Sequence, residues 1–228
     1  MEANNIIAVY NKNKQIALQE FDLFMNKTNT YMNKLAQDTN YYVGCDSKQL
    51  EKEVLSAMKE QCKGTSFLPD DIQLVSGQRF PDIIASKHFG VEVKSTKENK
   101  WVSTGSSIVE STRIEDVNHI YMLFGKLGGK PIEFKCKPYY NCLYDIAVTH
   151  SPRYLIDMEI TQERTIFSKM GIEYDKFRLS EDPISTVRSY YLEKIKISLS
   201  IIYRRTFMIS IKNVSMKFNL GIGKNFSL

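Results

Sequence analysis

The chain lacks the long apolar runs and the cysteine patterns that mark several large classes of protein. No segment approaches the roughly 18 uninterrupted apolar residues that a membrane-spanning helix needs. The first residues carry neither the basic region nor the apolar stretch of a signal peptide. No C-x-x-C spacing is present, which argues against a zinc site and favours buried thiols at Cys45, Cys62, Cys136 and Cys142. These absences predict a cytoplasmic protein that does not enter the membrane.

Acidic residues are also absent from the last part of the chain. The 228 residues carry a net charge of +5, and seven basic residues but no acidic ones lie from Lys194 onward. This basic tail, residues 194–228, could be an arm that grips phosphates, a poorly structured end, or a truncated or frameshifted terminus. The length suffices for one good core, and no repeat or low-complexity linker interrupts it. We therefore expect one domain over residues 1–228.

Three charged residues lie close together in sequence where two strands are predicted. They belong to the segments Phe80-Pro81-Asp82 and Val91-Glu92-Val93-Lys94. The apolar residues between these segments predict two short strands joined by a turn at residues 86–88. Alternate side chains of a strand share a face, so Glu92 and Lys94 should point together, and Asp82 can face the same pocket. Two carboxylates suit Mg²⁺, and a neighbouring lysine can position or deprotonate a water molecule.

This Pro-Asp…Glu-x-Lys pattern resembles the motif of the PD-(D/E)XK nuclease superfamily. The resemblance covers at most half of the chain, from about residue 50 to residue 127. It implies that Asp82 and Glu92 bind Mg²⁺ and that Lys94 is the catalytic lysine. It also implies an α/β fold with a central mixed β-sheet flanked by helices, a restriction-endonuclease-like core over about residues 46–160. The alternative is an exposed hairpin whose charged residues are merely solvated or paired across the strands.

A helix is predicted just before this hairpin, and it carries two further acidic residues. Its apolar positions recur at helical spacing, with Asp46 or Ser47 as the N-cap: Leu50, Val54, Ala57 and Met58. Many members of the superfamily have a glutamate on this helix that reaches the metal, and Glu51 is the best match, with Glu53 second. Either glutamate could equally be a solvated residue that balances the neighbouring lysines.

Polar residues that could contact DNA follow the hairpin. Residues 95–109 are predicted to form a loop whose hydroxyls, among them those of Ser106 and Ser107, could donate to phosphates or base edges. Arg113 could clamp a phosphate, as could Arg79, and Arg153 lies in a polar turn suited to the same role. Each of these could also be an ordinary surface residue.

The remaining periodicities predict the other elements. Helices are expected over about residues 13–37, with a possible break at 26–29, and over 115–127, 161–170 and 183–202. Strands are expected over residues 131–135 and 143–149, followed by a turn at 150–154.

Within the superfamily the chain looks most like a type II restriction endonuclease. It has a suitable size and carries no Walker A motif, helicase segment or zinc finger beside the motif. This resemblance implies Mg²⁺-dependent cleavage of double-stranded DNA, a homodimer and a partner DNA methyltransferase. The alternatives are a repair or modification-dependent nuclease of the same superfamily, a non-catalytic DNA-binding protein with this fold, and an unrelated protein in which the motif is accidental.

Overall fold

The computed structural model describes residues 3–38 and 41–221, and it describes side chains for residues 18–38 and 41–202. The chain divides into two compact units, residues 1–179 and residues 180–228. The sequence predicts one domain with a basic tail from residue 194, whereas this division falls at residue 180. Residues 222–228 of the predicted tail lie outside the described residues. No helix in the described ranges combines the length and the apolar character that a bilayer crossing requires.

The first unit begins with two helices, α1 (Ala3–Leu35) and α2 (Ser47–Gln61). The predicted break at residues 26–29 is wrong, because α1 runs through it. There Thr28 and Thr30 donate side-chain hydrogen bonds to carbonyls four residues back, at 3.0 and 2.9 Å, so their hydroxyls are satisfied without interrupting the helix. The helix predicted before the hairpin is confirmed: Asp46 caps α2 by accepting from the Gln49 amide at 2.7 Å, and the predicted apolar stripe is buried.

Eight strands form two sheets. In chain order the strands are β1 (Ile72–Leu74), β2 (Ile83–Ala85), β3 (Phe89–Thr96), β4 (Val102–Ser107), β5 (His119–Lys126), β6 (Glu133–Pro138), β7 (Leu143–Ala147) and β8 (Arg153–Asp157). The larger sheet has the order β1-β2-β3-β5-β6 and is mixed, because β3 and β5 are parallel while its other neighbours are antiparallel. The smaller sheet is antiparallel, with the order β4-β8-β7. The predicted α/β class with a mixed sheet is therefore confirmed.

Helices α1 and α2 pack on one face of the larger sheet and form the main core with it. Phe21 of α1 lies at the centre, with its ring centroid 4.5 Å from that of Phe89 and 5.2 Å from that of Tyr121. The inward residues of β3, Val91 and Val93, belong to the same cluster. Each large apolar side chain buried in this way contributes about 1.5–3 kcal/mol. The core therefore fixes which face of β3 is left for its polar residues.

The helix predicted over residues 115–127 is wrong, because this segment contains β5. Met122, Leu123 and Phe124 are all buried, so the strand is apolar on both faces, as an interior strand beside a parallel neighbour often is. A short run of this kind has no period of its own, and the helical spacing was a coincidence of composition. The connection from β3 to β5 consequently contains β4, and the predicted helix is absent from this described part of the chain.

The polar loop predicted over residues 95–109 is also wrong in part, because it contains β4. Polar residues are tolerated in this strand because most of β4 is only half-buried and its backbone pairs with β8.

The later elements agree better with the sequence. The predicted strands at 131–135 and 143–149 correspond to β6 and β7, with β6 displaced toward the C-terminus. The helix expected over residues 161–170 is reduced to a 3₁₀ turn and α3 (Ile166–Met170), which is followed by α4 (Tyr174–Arg178). The second unit contains α5 (Pro183–Gly221), which confirms the helix predicted from residue 183 and continues beyond residue 202.

Gly128 allows the end of β5 to pass close to the end of β3. A β-carbon at this position would lie only 1.8 Å from the backbone oxygen of Lys97. We expect Gly128→Ala to lower the free energy of unfolding by about 3 kcal/mol, because a backbone atom cannot move aside as a side chain can. Gly44→Ala is the matched control, since nothing lies within 4 Å of the added carbon. Thermal unfolding checks this, and equal melting temperatures for the two variants would contradict it.

Candidate active site

The β2–β3 hairpin brings the charged residues of the motif together. Its two strands are antiparallel, with Ile83 opposite Val91, and they are joined by the turn predicted at residues 86–88. Asp82 immediately precedes β2, and its Oδ2 accepts a hydrogen bond from the backbone amide of Val93 at 2.8 Å. Because Val93 follows Glu92 directly, this bond holds the Asp82 carboxylate beside the Glu92 side chain.

Glu92 is a carboxylate buried between two charged neighbours. Its side chain is only 6% exposed, and its Oε1 lies 2.9 Å from Nζ of Lys94. Its carboxyl group is also within hydrogen-bonding reach of the Asp82 carboxyl. Burial raises the pKa of Glu92 to about 7; the positive charge of Lys94 opposes this shift, whereas the negative charge of Asp82 adds to it.

Lys94 stays charged although most of its side chain is covered. Burial alone would lower the pKa of Lys94, but Glu92 and Asp82 act more strongly in the opposite direction and the net pKa is raised. The side chain is 29% exposed, so its ammonium can still be reached from solvent. It can therefore donate hydrogen bonds to a water molecule or a phosphate at this site.

The structure separates the two glutamates of α2. Glu51 interacts electrostatically with both Asp82 and Lys94, and its pKa is raised mainly by burial and then by Asp82. Glu53 instead accepts hydrogen bonds from Gln49 at 2.9 Å and from Tyr41 at 3.4 Å. Of the two residues, Glu51 therefore lies beside the motif and Glu53 faces other partners.

Two carboxylates converge at the motif, and this donor set fits a divalent cation of the Mg²⁺ type. Among the described side chains, no three His, Cys, Asp or Glu residues lie close enough together to enclose a metal ion. Mg²⁺ does not require such a cage, because it keeps several waters and binds through one or two carboxylates together with substrate oxygens. The buried Glu92 carboxyl lies next to the half-buried Asp82 carboxyl, and a bound cation would offset the repulsion between the two carboxylates.

Arg113, expected to contact a phosphate, is a buried structural residue. Its side chain is 8% exposed, and Nη1 donates to Glu110 at 2.6 Å and to the hydroxyl of Tyr174 at 2.8 Å. Its other donors bond backbone carbonyls of Val117 and Asn118. With its donors occupied inside the protein, the guanidinium is not available to a phosphate, which corrects the expectation from sequence.

The buried Arg113 has an indirect relation to the motif. The segment that carries it pairs with Phe80, whose amide donates to the carbonyl of Thr112 at 3.1 Å and whose carbonyl accepts from Ile114 at 2.9 Å. Phe80 is two residues before Asp82. Sequence reasoning missed this arrangement: the spacing of Glu110 and Arg113 permits an ion pair, but no local pattern indicates Tyr174, which is far away in the chain.

The other three predicted contact residues lie at the β4–β8 pairing. The Ser106 hydroxyl is bonded to that of Tyr139 at 2.6 Å, and Ser107 Oγ accepts from the Val109 amide at 3.4 Å. Arg153 is exposed at the beginning of β8, and its Nε donates to the carbonyl of Gly105 at 2.9 Å. Both serines are half-buried, with the Ser106 hydroxyl bonded to Tyr139, whereas Arg153 is exposed.

In comparisons with known proteins, no protein-family model matches the chain, and no curated protein matches its sequence.

The contact between Asp82 and Glu92 should destabilise the metal-free protein. Since the folded-state pKa of Glu92 is about 7 and its ordinary value is 4.5, stability falls as pH rises through this window and stays reduced above it. In EDTA at pH 8 we expect Asp82→Asn to raise the free energy of unfolding by about 1 kcal/mol, or roughly 2–4 °C in melting temperature. The gain should shrink as pH falls from 7 toward 4.5. Asp70→Asn, at an exposed position, is the control; a gain independent of pH would contradict this account.

Replacing Arg113 should unfold the protein rather than simply weaken a surface contact. Arg113→Met leaves the Glu110 carboxylate buried without its cation, which typically costs about 3–5 kcal/mol. Arg164→Met, at an exposed position, should change stability by less than about 0.5 kcal/mol. Urea unfolding followed by the fluorescence of Trp101, the only tryptophan, measures both. If the two variants are equally stable, Arg113 does not have this structural role.

Proposed function

We propose that this protein is a Mg²⁺-dependent endonuclease of the PD-(D/E)XK superfamily that hydrolyses phosphodiester bonds in double-stranded DNA, most like a type II restriction endonuclease. One observation carries the proposal: the buried Glu92 carboxylate is in contact with Asp82 and ion-paired to Lys94. A solvated surface hairpin gives no reason to bury an acid against another acid, since doing so costs free energy that a structural role does not require.

Asp82 and Glu92 are the residues that would hold the cation. When bound, Mg²⁺ polarises the phosphate and lowers the pKa of a water molecule that it binds. The hydrogen bond from the Val93 amide to Oδ2 would hold the Asp82 carboxylate in place for such an ion. The carboxylate of Glu92 is oriented from the other side by Lys94.

Lys94 has the position and charge to act on the attacking water and on the phosphate. In hydrolysis, the attacking water loses a proton as its oxygen forms a bond to phosphorus, the bond from phosphorus to the leaving deoxyribose oxygen breaks, and that oxygen gains a proton. The Lys94 ammonium can hold the water by hydrogen bonding and stabilise the negative charge that builds on the phosphate oxygens. Glu51 interacts electrostatically with Asp82 and Lys94, and we propose that it accepts a hydrogen bond from water in this site.

The resemblance extends the proposal to the protein's partners. A type II enzyme would act as a homodimer, each subunit cutting one strand of a short symmetric site, in the cytoplasm beside a DNA methyltransferase that protects the host. Ser107 and Arg153 are the residues that we retain as DNA contacts.

Cleavage of unmethylated phage DNA, with and without Mg²⁺, tests the proposal directly. We expect wild type to give discrete Mg²⁺-dependent fragments. Lys94→Ala should lower the single-turnover rate about 10²–10³-fold, the range for removing a group that stabilises charge in the transition state. Asp82→Ala should also lower this rate, because a ligand of the cation is lost. Lys97→Ala is the matched control, because its exposed side chain lies just beyond the same strand.

Each outcome on the gel has a definite meaning. A smear that requires Mg²⁺ and Lys94 would favour a nonspecific or structure-directed nuclease of the same superfamily. Cleavage at the wild-type rate by Asp82→Ala would remove the site assignment. Absence of cleavage on both unmethylated and methylated DNA, with the variants binding DNA as wild type does, would favour a non-catalytic DNA-binding protein.

A further inference from the structure

Arg153 is an exposed arginine that the fold holds in a defined orientation. It begins β8, the central strand of the smaller sheet, and lies opposite Ser107 of β4. Its Nε donates to the carbonyl oxygen of Gly105 at 2.9 Å. Because one edge of the guanidinium is bonded to the backbone, its terminal nitrogens have less freedom than those of an ordinary surface arginine.

The carbonyl that holds Arg153 depends on an irregularity in β4. The pairing register of β4 and β8 shifts between Thr104 and Ser107, so Gly105 lies at a bulge, where a carbonyl can turn toward a side chain. A β-carbon on Gly105 would lie 3.2 Å from side-chain atoms of Tyr154 and Ile156. Glycine therefore permits the close approach of the two strands that brings this carbonyl to Arg153.

The guanidinium of Arg153 has no acidic partner among the described side chains. The ion pairs of residues 18–38 and 41–202 do not include it. The positive charge of Arg153 acts weakly against the protonation of Lys94, and an anion bound at Arg153 would offset this effect.

We infer that Arg153, oriented by the Gly105 carbonyl and flanked by the Ser107 hydroxyl, is a phosphate clamp that binds the nucleic-acid backbone. Ser107 and Arg153 are directly opposite on adjacent strands and so share one side of the sheet. Oγ of Ser107 accepts from the Val109 amide, which leaves its proton for a phosphate oxygen. The assignment of DNA as the ligand rests on the proposed function. Arg153 binds and positions the substrate, whereas Lys94 acts at the reacting atoms.

The binding of a fluorescent DNA duplex without divalent ions tests the clamp separately from cleavage. Log K for DNA binding falls linearly with the logarithm of the salt concentration, and removing one protein–phosphate interaction makes this negative slope shallower by about 0.9. We expect this shallower slope for Arg153→Gln and not for Arg164→Gln, which makes the same change of charge at an exposed position. Arg153→Lys should keep the salt dependence of wild type, because the charge is retained. It should bind DNA more weakly, because lysine lacks the forked donors of the guanidinium and the bond to the Gly105 carbonyl.

Two further measurements distinguish the clamp from a merely structural role and from the metal site. Calorimetry without DNA should give the same Mg²⁺ affinity for Arg153→Gln as for wild type. Single-turnover cleavage by this variant should fall about 10–100-fold, the range for removing a charge-assisted hydrogen bond of roughly 1.5–3 kcal/mol. Inorganic pyrophosphate serves as a competitor. If it displaces the duplex from wild type only at concentrations that also displace it from Arg153→Gln through general ionic screening, the site requires a nucleic-acid backbone.

The clamp and the proposed function can fail independently. If wild type binds DNA but does not cleave it, and the salt dependence of binding is still shallower by about 0.9 for Arg153→Gln, the clamp stands and the nuclease proposal falls. If Arg153→Gln and Arg164→Gln give the same slope and the same affinity, the clamp is overturned, whatever the cleavage assay gives.

Discussion

The hydrogen bond from the Val93 amide to the Asp82 carboxylate is the interaction on which the site depends. It joins the residue before β2 to the middle of β3, at the position where Glu92 points away from the core. The Val91 and Val93 side chains anchor β3 in that core, so the face that presents Glu92 and Lys94 is fixed. Two acids and one ammonium are thereby held together at a free-energy cost that the core must offset.

The rest of the first unit supports this arrangement from two directions. On one face, α1 and α2 pack against the sheet, and α2 brings Glu51 near Asp82 and Lys94. From the other direction, the ion pair of Glu110 and Arg113, completed by the Tyr174 hydroxyl, fixes the segment that pairs with Phe80. A buried pair of this kind adds little net stability compared with apolar residues, but it defines one arrangement of the chain. In this protein, that arrangement fixes the position of Phe80, two residues before Asp82.

The local part of this structure could be predicted from the sequence, and the long-range part could not. The hairpin, α2 and the shared face of Glu92 and Lys94 follow from alternation and capping within about fifteen residues. The sequence predicts a helix where β5 lies, because a short run that is apolar on both faces has no period that distinguishes a strand from a helix. Arg113 was misassigned because its partner Tyr174 is far along the chain and because exposure cannot be read from residue type. The same limitation hid the bond between Arg153 and Gly105, which depends on a bulge in β4.

Together, these features describe a polar site built on the strands of a mixed sheet. We propose that Asp82 and Glu92 jointly hold a divalent cation there. The most direct test is a crystal structure of the protein soaked with Mn²⁺, with data collected for anomalous scattering. We expect one strong anomalous peak within coordination distance, about 2.0–2.3 Å, of oxygens from both carboxylates. A well-occupied peak elsewhere, with these two carboxylates still in contact and unliganded, would contradict the account.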